Sequence, residues 1–260
     1  MNTKSINNRI HCHVPYPQLT TYLDFVVSRH INPEVFFSAE TLDHIVWEEL
    51  AAQSQTLHAA GLTTTIHAPF LDLNPGALDP TIREATLRRF HQVLQAAELL
   101  RPQVIVFHPG FDELRYGDNR MAWLKNSISF WQEMLPHAKE LGCIIAVENI
   151  FEKEPSTLRG LLEAIDDPSF RHCFDVGHWN MFTTVSAEDW FAELGPYIAE
   201  CHIHDNHGQT DEHLPLGEGL INFNKMFKLL GQYAPDAVLT IEAHSKERME
   251  RALKAIEKYV

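Results

Sequence analysis

The sequence predicts one (β/α)8 barrel spanning residues 1–260, and three observations carry that prediction. Short β-rich runs alternate strictly with helical patterns, eight times over. The length of 260 residues is that of one such barrel. Residues able to bind metal recur at or just after the ends of predicted strands, tens of residues apart. Only a fold that gathers successive strand ends onto one face can unite them, and a closed parallel barrel does so.

Taken in order, the first strand covers 9–13 and leads into a helix over 17–29; the second covers 34–37 and precedes a helix over 42–60. The third strand, 62–67, is Leu62-Thr63-Thr64-Thr65-Ile66-His67, and its helix covers 80–100. There Ile82, Ala85, Leu87, Phe90, Val93, Leu94 and Ala97 fall mostly at three- and four-residue spacing, one buried stripe. Asp79-Pro80 supplies a cap followed by proline at the first helical position. The fourth strand, 103–108, is apolar and ends in His108-Pro109-Gly110, followed by a helix over 121–141. Strands over 143–148, 171–175, 198–204 and 237–242 alternate with helices over 156–165, 187–194, 224–233 and 246–259. An open nucleotide-binding sheet would carry a glycine-rich turn after its first strand, and none is present. No low-complexity stretch or Pro/Gly-rich linker divides the chain.

Composition narrows the function classes. A hydrophobic fraction of 45% and a charged fraction of 22% are ordinary for a soluble globular protein. There is no apolar run long enough to span a bilayer, and Met1-Asn2-Thr3-Lys4-Ser5 lacks the apolar region of a signal peptide. The expected location is therefore the cytoplasm. Cys12, Cys143, Cys173 and Cys201 form no CxxC pair and read as buried apolar residues rather than a disulfide or thiolate site. Strand alternation puts Cys201 on the face opposite His202. The formal charge of −14 disfavours gripping a long polyanion, yet a metal-loaded hole would still attract one anionic group.

The candidate ligands are His67, His108, Glu148, Asp175, His178, His202, Asp211, His213 and Glu242. A lone His at a strand end is more often a hydrogen-bonded core or surface residue, and the chain has sixteen histidines. His30, His44, His58, His91 and His137 fall on helical patterns and read as ordinary; His11, His172 and His244 show no clear role. Clustering changes the balance, because every strand end from the third to the eighth carries at least one ligand-type residue. Carboxylates with imidazoles suit Zn²⁺ first and Mn²⁺ or Fe²⁺ as alternatives, and nine ligands exceed what one ion needs. Up to three divalent ions are expected.

The run His202…Asp205, Asp211-Glu212-His213, Leu216-Gly217-Glu218-Gly219 resembles the HxxD…DxH…GxG signature of the xylose-isomerase-like TIM barrels, which include endonuclease IV (AP endonuclease family 2) and many sugar isomerases and epimerases. The resemblance implies an inner set of four ligands common to the one-metal epimerases, Glu148, Asp175, His202 and Glu242. It also implies five more that complete the endonuclease IV pattern, His67, His108, His178, Asp211 and His213. It assigns His67, His108 and Glu148 to one ion, with Glu148 bridging to a second held by Asp175, His202 and Glu242. His178, Asp211 and His213 would hold the third. Such a site implies phosphoester hydrolysis.

Within that superfamily, phrases such as His13-Val14-Pro15-Tyr16, Glu148-Asn149-Ile150-Phe151 and His204-Asp205-Asn206-His207-Gly208 resemble the cobamide-remodelling phosphodiesterases. Phe111, Phe151, Trp179 and Phe182 are candidates to line an apolar pocket for a large planar ring. The leading expectation is thus a metal-dependent phosphodiesterase on a small substrate. Its alternative is a one-metal sugar or sugar-phosphate isomerase or epimerase, with Glu148 and Glu242 as the acid/base pair. An abasic-site endonuclease is a further alternative, but from His172 to Asn224 there is no Lys or Arg, although this span holds five of the nine ligands. Duplex binding draws most of its affinity from such residues. A sugar-binding barrel without activity is disfavoured because no ligand is replaced by an inert residue. The sequence leaves oligomeric state open.

Overall fold

The computed structural model describes residues 9–260, so the polar opening 1–5 lies outside it. Eight parallel strands close in sequence order into a barrel. They are β1 (Ile10–Pro15), β2 (Asn32–Phe36), β3 (Thr65–His67), β4 (Val104–Phe107), β5 (Ile144–Glu148), β6 (Phe170–Asp175), β7 (Ile198–Ile203) and β8 (Val238–Ile241). Closure is made by β1 on β8, with Ile10 opposite Leu239 and Cys12 opposite Ile241. The register shifts between His172 and Cys173, where β6 meets β7.

Both faces of each strand are covered, which explains runs such as Val104-Ile105-Val106-Phe107 with no polar alternation. Outward residues, Ile105, Phe107, Ile145, Val147 and Cys201 among them, join the main core between sheet and helices. Inward residues divide. Val104, Val106, Ala146, Cys173 and Val238 form a small apolar plug inside the barrel. Across from it the interior is polar: His11, Asn32, Glu34, Thr65, Glu200 and Thr240 are all buried. All four cysteines are free and buried, with Cys201 facing away from the barrel interior as strand alternation requires.

The helices are α1 (Tyr16–Arg29), α2 (Ala39–Asp43), α3 (Trp47–Ala59), α4 (Pro80–Leu100), α5 (Glu113–Tyr116), α6 (Arg120–Leu141), α7 (Ser156–Ile165), α8 (Val176–Phe182), α9 (Ala187–Leu194), α10 (Phe223–Tyr233) and α11 (Lys246–Ile256). No helix among the described residues is long and apolar enough to cross a membrane. α4 begins as expected, the Asp79 side chain accepting from Thr81 N–H at 2.8 Å. Its stripe needs one correction: Ile82 is 41% exposed and turns to the barrel mouth, while Thr86 takes a buried place and bonds Asn74 N–H. The helix expected over 42–60 is two helices, broken at His44–Val46 where His44 caps the shorter one. The turn expected at Asp175–His178 is the first turn of α8, with Asp175 as its N-cap.

Two of the histidines without a sequence role are structural. His11 sits in the barrel floor between the hydroxyls of Thr63 and Thr65. His172 donates from Nδ1 to Val147 C=O at 2.9 Å and accepts Trp190 Nε1–H at 3.3 Å. Burial pushes both imidazoles down to about 4, so they pack as neutral groups.

One side of the mouth is fixed by Asn74, in the loop after β3. Its amide donates to Gly110 C=O at 2.7 Å and to the Tyr116 hydroxyl at 2.9 Å, and accepts Gly76 N–H and Trp123 Nε1–H at 2.9 and 3.1 Å. Gly110 has φ +75°, and a Cβ there would lie 2.8 Å from the Asn74 side chain. Glycine is therefore the residue this crossing admits.

Candidate metal centre and cavity

The barrel brings all nine expected residues to one mouth, in three contiguous groups. In the first, Glu148 Oε2 faces His67 Nε2 at 3.4 Å and His108 Nε2 at 3.3 Å. His67 Nδ1–H donates to Ala68 C=O at 2.9 Å, which leaves Nε2 as the nitrogen turned to Glu148. In the second, His202 Nδ1 lies 3.6 Å from Glu148 Oε2, 3.8 Å from Asp175 Oδ2 and 3.4 Å from Glu242 Oε1. In the third, Asp211 Oδ2 receives His178 Nε2 at 3.4 Å and His213 Nε2 at 2.9 Å. His178 links the groups, its Nδ1 standing 3.0 Å from Glu148 Oε1 and 3.4 Å from Asp175 Oδ1.

These residues fit divalent ions on a structural criterion. Glu148 Oε2, His178 Nδ1, His202 Nδ1, His204 Nδ1 and His213 Nδ1 are buried and have no hydrogen-bond partner among the described residues. An unsatisfied buried polar atom costs about 1–3 kcal/mol, so five gathered at one barrel mouth mark a place that bound ions would satisfy. Imidazole and carboxylate donors suit Zn²⁺, Mn²⁺ or Fe²⁺.

Electrostatics follow from the same crowding. Burial alone would raise the Glu148 carboxyl, but His108 and His202 outweigh it and hold it well below the usual range. Burial opposes a proton on His67, yet Glu148 and then Glu34 push it up to about 9. For His108, burial prevails over Glu148 and the pKa falls. Protons and any bound metal ion would thus compete for the same nitrogens.

The third group rides on the long loop after β7, and Asp205 holds that loop. Its Oδ1 accepts Asn206 N–H and Ile221 N–H at 2.9 and 3.1 Å, and its Oδ2 accepts Gly217 N–H and Gly219 N–H, both at 2.9 Å. A Cβ on Gly219 would come within 2.4 Å of Asp205 Oδ1. The D and GxG of the signature are therefore one clamp, and the DxH between them is what it presents. Arg248 adds a bond to Glu212 C=O at 2.7 Å, and His213 takes φ +48° between its stacking partners His204 and His244.

Three residues at the site were not assigned from sequence. Glu34 is wholly buried, 3.2 Å from both His13 Nδ1 and His202 Nε2. His204 reaches Asp175 Oδ2 at 3.1 Å and stacks on His213 with centroids 4.0 Å apart. His13 lines the cavity. A carboxylate or imidazole at an inward position of an otherwise apolar strand was the available signal.

Above the centre opens a cavity of about 1190 Å³, larger than the roughly 300–1,000 Å³ of common small-molecule pockets. One wall is aromatic and aliphatic, with Phe36, Phe70, Phe111, Phe151 and Phe182; Phe70 stacks on His108 with centroids 4.3 Å apart. Trp179 departs from expectation: it packs against the core and is not part of this wall. Arg115 is the sole Lys or Arg among the described lining residues, beside Asp72, Asp79 and Asp112.

A closed parallel barrel carries candidate carboxylate–imidazole clusters at its C-terminal mouth, and the chain belongs to the xylose isomerase-like TIM barrel family, whose profile matches residues 33–259. Among its relatives, the uncharacterized protein MJ1311 of Methanocaldococcus jannaschii is 30% identical over 205 residues, 75% of this chain and 69% of the relative. A solved D-tagatose 3-epimerase-like protein superposes with TM-score 0.82 at 24% identity, covering 96% of each chain. The TTHB071 protein from Thermus thermophilus, from a crystal soaked with ZnCl2, gives TM-score 0.81 at 24% identity over 97% of this chain and 98% of that one. At these identities the structural likeness establishes the fold.

Proposed function

We propose that this protein is a divalent-metal-dependent phosphodiesterase acting on a small but bulky phosphodiester, with the nucleotide loop of a cobamide as the candidate substrate. The observation that carries this reading is the convergence of the outer five residues. His67 and His108 meet on Glu148, and His178 and His213 meet on Asp211, in addition to the inner four. A single ion needs no more ligands than the inner four supply.

His67, His108 and Glu148 would hold one ion, Glu148, Asp175, His202 and Glu242 a second, and His178, Asp211 and His213 a third. When bound, the ions supply acidification and placement of the attacking water and neutralisation of charge on the leaving oxygen. The chain's own part is positioning. Glu148 links the first two groups, Asp205 holds the loop of the third, and the Phe70 side of the cavity binds an apolar body and excludes water. Arg115, paired with Asp112 at 3.5 Å, is too isolated to grip a polyanion, so a small molecule suits the mouth better than nucleic acid.

A second reading is a one-metal sugar epimerase. Its support is twofold: Glu148 and Glu242 flank His202 Nδ1 at 3.6 and 3.4 Å, as a proton-exchanging pair would, and most structural neighbours bear sugar-epimerase names, among them a D-tagatose 3-epimerase-like protein and a D-psicose 3-epimerase. The comparisons as a group favour this second reading over the first, whose support is the outer five residues alone. Metal content per chain after chelator-free purification separates them. About three ions with release of cobinamide phosphate from cobalamin supports hydrolysis; about one ion with turnover of a ketohexose supports epimerisation. No turnover of cobalamin with any of zinc, manganese or iron would sink the cobamide assignment.

A further inference from the structure

Glu34 lies in the middle of β2, wholly buried and directed into the barrel one layer below the mouth. Its two oxygens are divided between histidines from different strands: Oε1 is 3.2 Å from His13 Nδ1 on β1, and Oε2 is 3.2 Å from His202 Nε2 on β7. An ionised carboxylate only accepts, so each contact needs a hydrogen on the imidazole nitrogen. The reverse tautomer of His202 would set two lone pairs face to face across 3.2 Å in a site without solvent.

With the hydrogen on Nε2 held by Glu34, Nδ1 is the nitrogen left to face an ion. That nitrogen has no hydrogen-bond partner among the described residues and faces three carboxylates, from Glu148, Asp175 and Glu242. Beneath Glu34, Glu200 comes within 4.8 Å of it and of His202 and receives the Thr240 hydroxyl. We propose that Glu34 is a positioning residue of the metal centre, locking His202 in the Nε2–H form so that Nδ1 is the nitrogen offered to an ion. This rests on the metal reading of the inner four residues and is independent of whether the reaction is hydrolysis or epimerisation.

Glu34→Gln keeps the size of the side chain but can present N–H to His202 Nε2, which favours the wrong tautomer. Zinc affinity, read by competition with a chromogenic chelator, is expected to fall 10- to 100-fold, the usual effect of removing such an outer partner. In the zinc-loaded wild-type chain, ¹H–¹⁵N spectra should show an exchange-protected N–H at His202 Nε2, assigned by its absence in His202→Asn and missing from Glu34→Gln. Unchanged zinc affinity in a folded Glu34→Gln variant overturns the proposal. Should that variant not fold, the wild-type spectrum decides, and a His202 hydrogen on Nδ1 refutes it. A wild-type chain that binds no zinc fails the metal reading itself and removes this proposal with it.

Discussion

Exchanging Asp205 for Asn tests how the third group of candidate ligands is held. The native carboxylate accepts four backbone N–H bonds, two on each oxygen, from Asn206, Gly217, Gly219 and Ile221. Asn retains one accepting oxygen and turns an NH2 toward the other two donors, which are left facing a donor. Hydrogen bonds to a charged group contribute about 1.5–3 kcal/mol each, so losing two costs about 3–6 kcal/mol. That penalty falls on residues 206–222, the loop bearing Asp211 and His213, and compares with about 5–15 kcal/mol for a whole domain. Elemental analysis of Asp205→Asn should therefore show about one ion fewer per chain than wild type, with new protease cleavage inside 206–222. Full metal content, unaltered protease resistance and a stability loss below about 1 kcal/mol would refute the clamp.

His213→Ala should abolish phosphodiester cleavage while thermal unfolding stays near wild type; undiminished hydrolysis would show that the third group is not needed. Asn74→Ala strands the donors and acceptors it satisfied and should cost about 2–4 kcal/mol in urea unfolding, with an effect under about 1 kcal/mol counting against its role as a hub. His11 and His172 are pushed down to about 4 when folded, against an ordinary 6.5, so the unfolded chain binds more protons between those values. Stability is therefore full above pH 6.5 and falls as pH drops toward 4, by about 3 kcal/mol for each group. Urea titrations at several pH values should show a shallower acid loss in His172→Gln, and identical slopes would refute this. Chelator treatment should lower the melting temperature and zinc should restore it, because an ion bound by the folded chain alone stabilises it by mass action; a melting temperature indifferent to zinc would contradict the site.

The barrel was legible because βα alternation is a global property that tolerates local misreading. The continuous pattern over 42–60 concealed a break at His44–Val46, since periodicity records amphipathicity and not which residue ends a helix. The nine candidate ligands were legible from chemistry at strand ends, and all converge. Glu34 was not, because it stands in mid-strand at Asn32-Pro33-Glu34-Val35-Phe36, where only the inward direction of its side chain gives it meaning. Asp205 was visible as part of a signature but not as a clamp, for its four donors come from residues up to sixteen positions away. Trp179 and Ile82 exchanged expected places, core for wall, because a stripe on a helix does not say which of its ends leaves the barrel.

Asn74 has a consequence for recognition. Its bonds tie the loop after β3 to Gly110, Tyr116 and Trp123, so the Phe70 and Phe111 side of the cavity is assembled before any ligand arrives. The entropy of ordering that wall is spent during folding rather than during binding. Selection among substrates should then resemble fitting a mould: a molecule of the wrong contour is turned away by shape, and a correct one is accepted with little rearrangement of the loops.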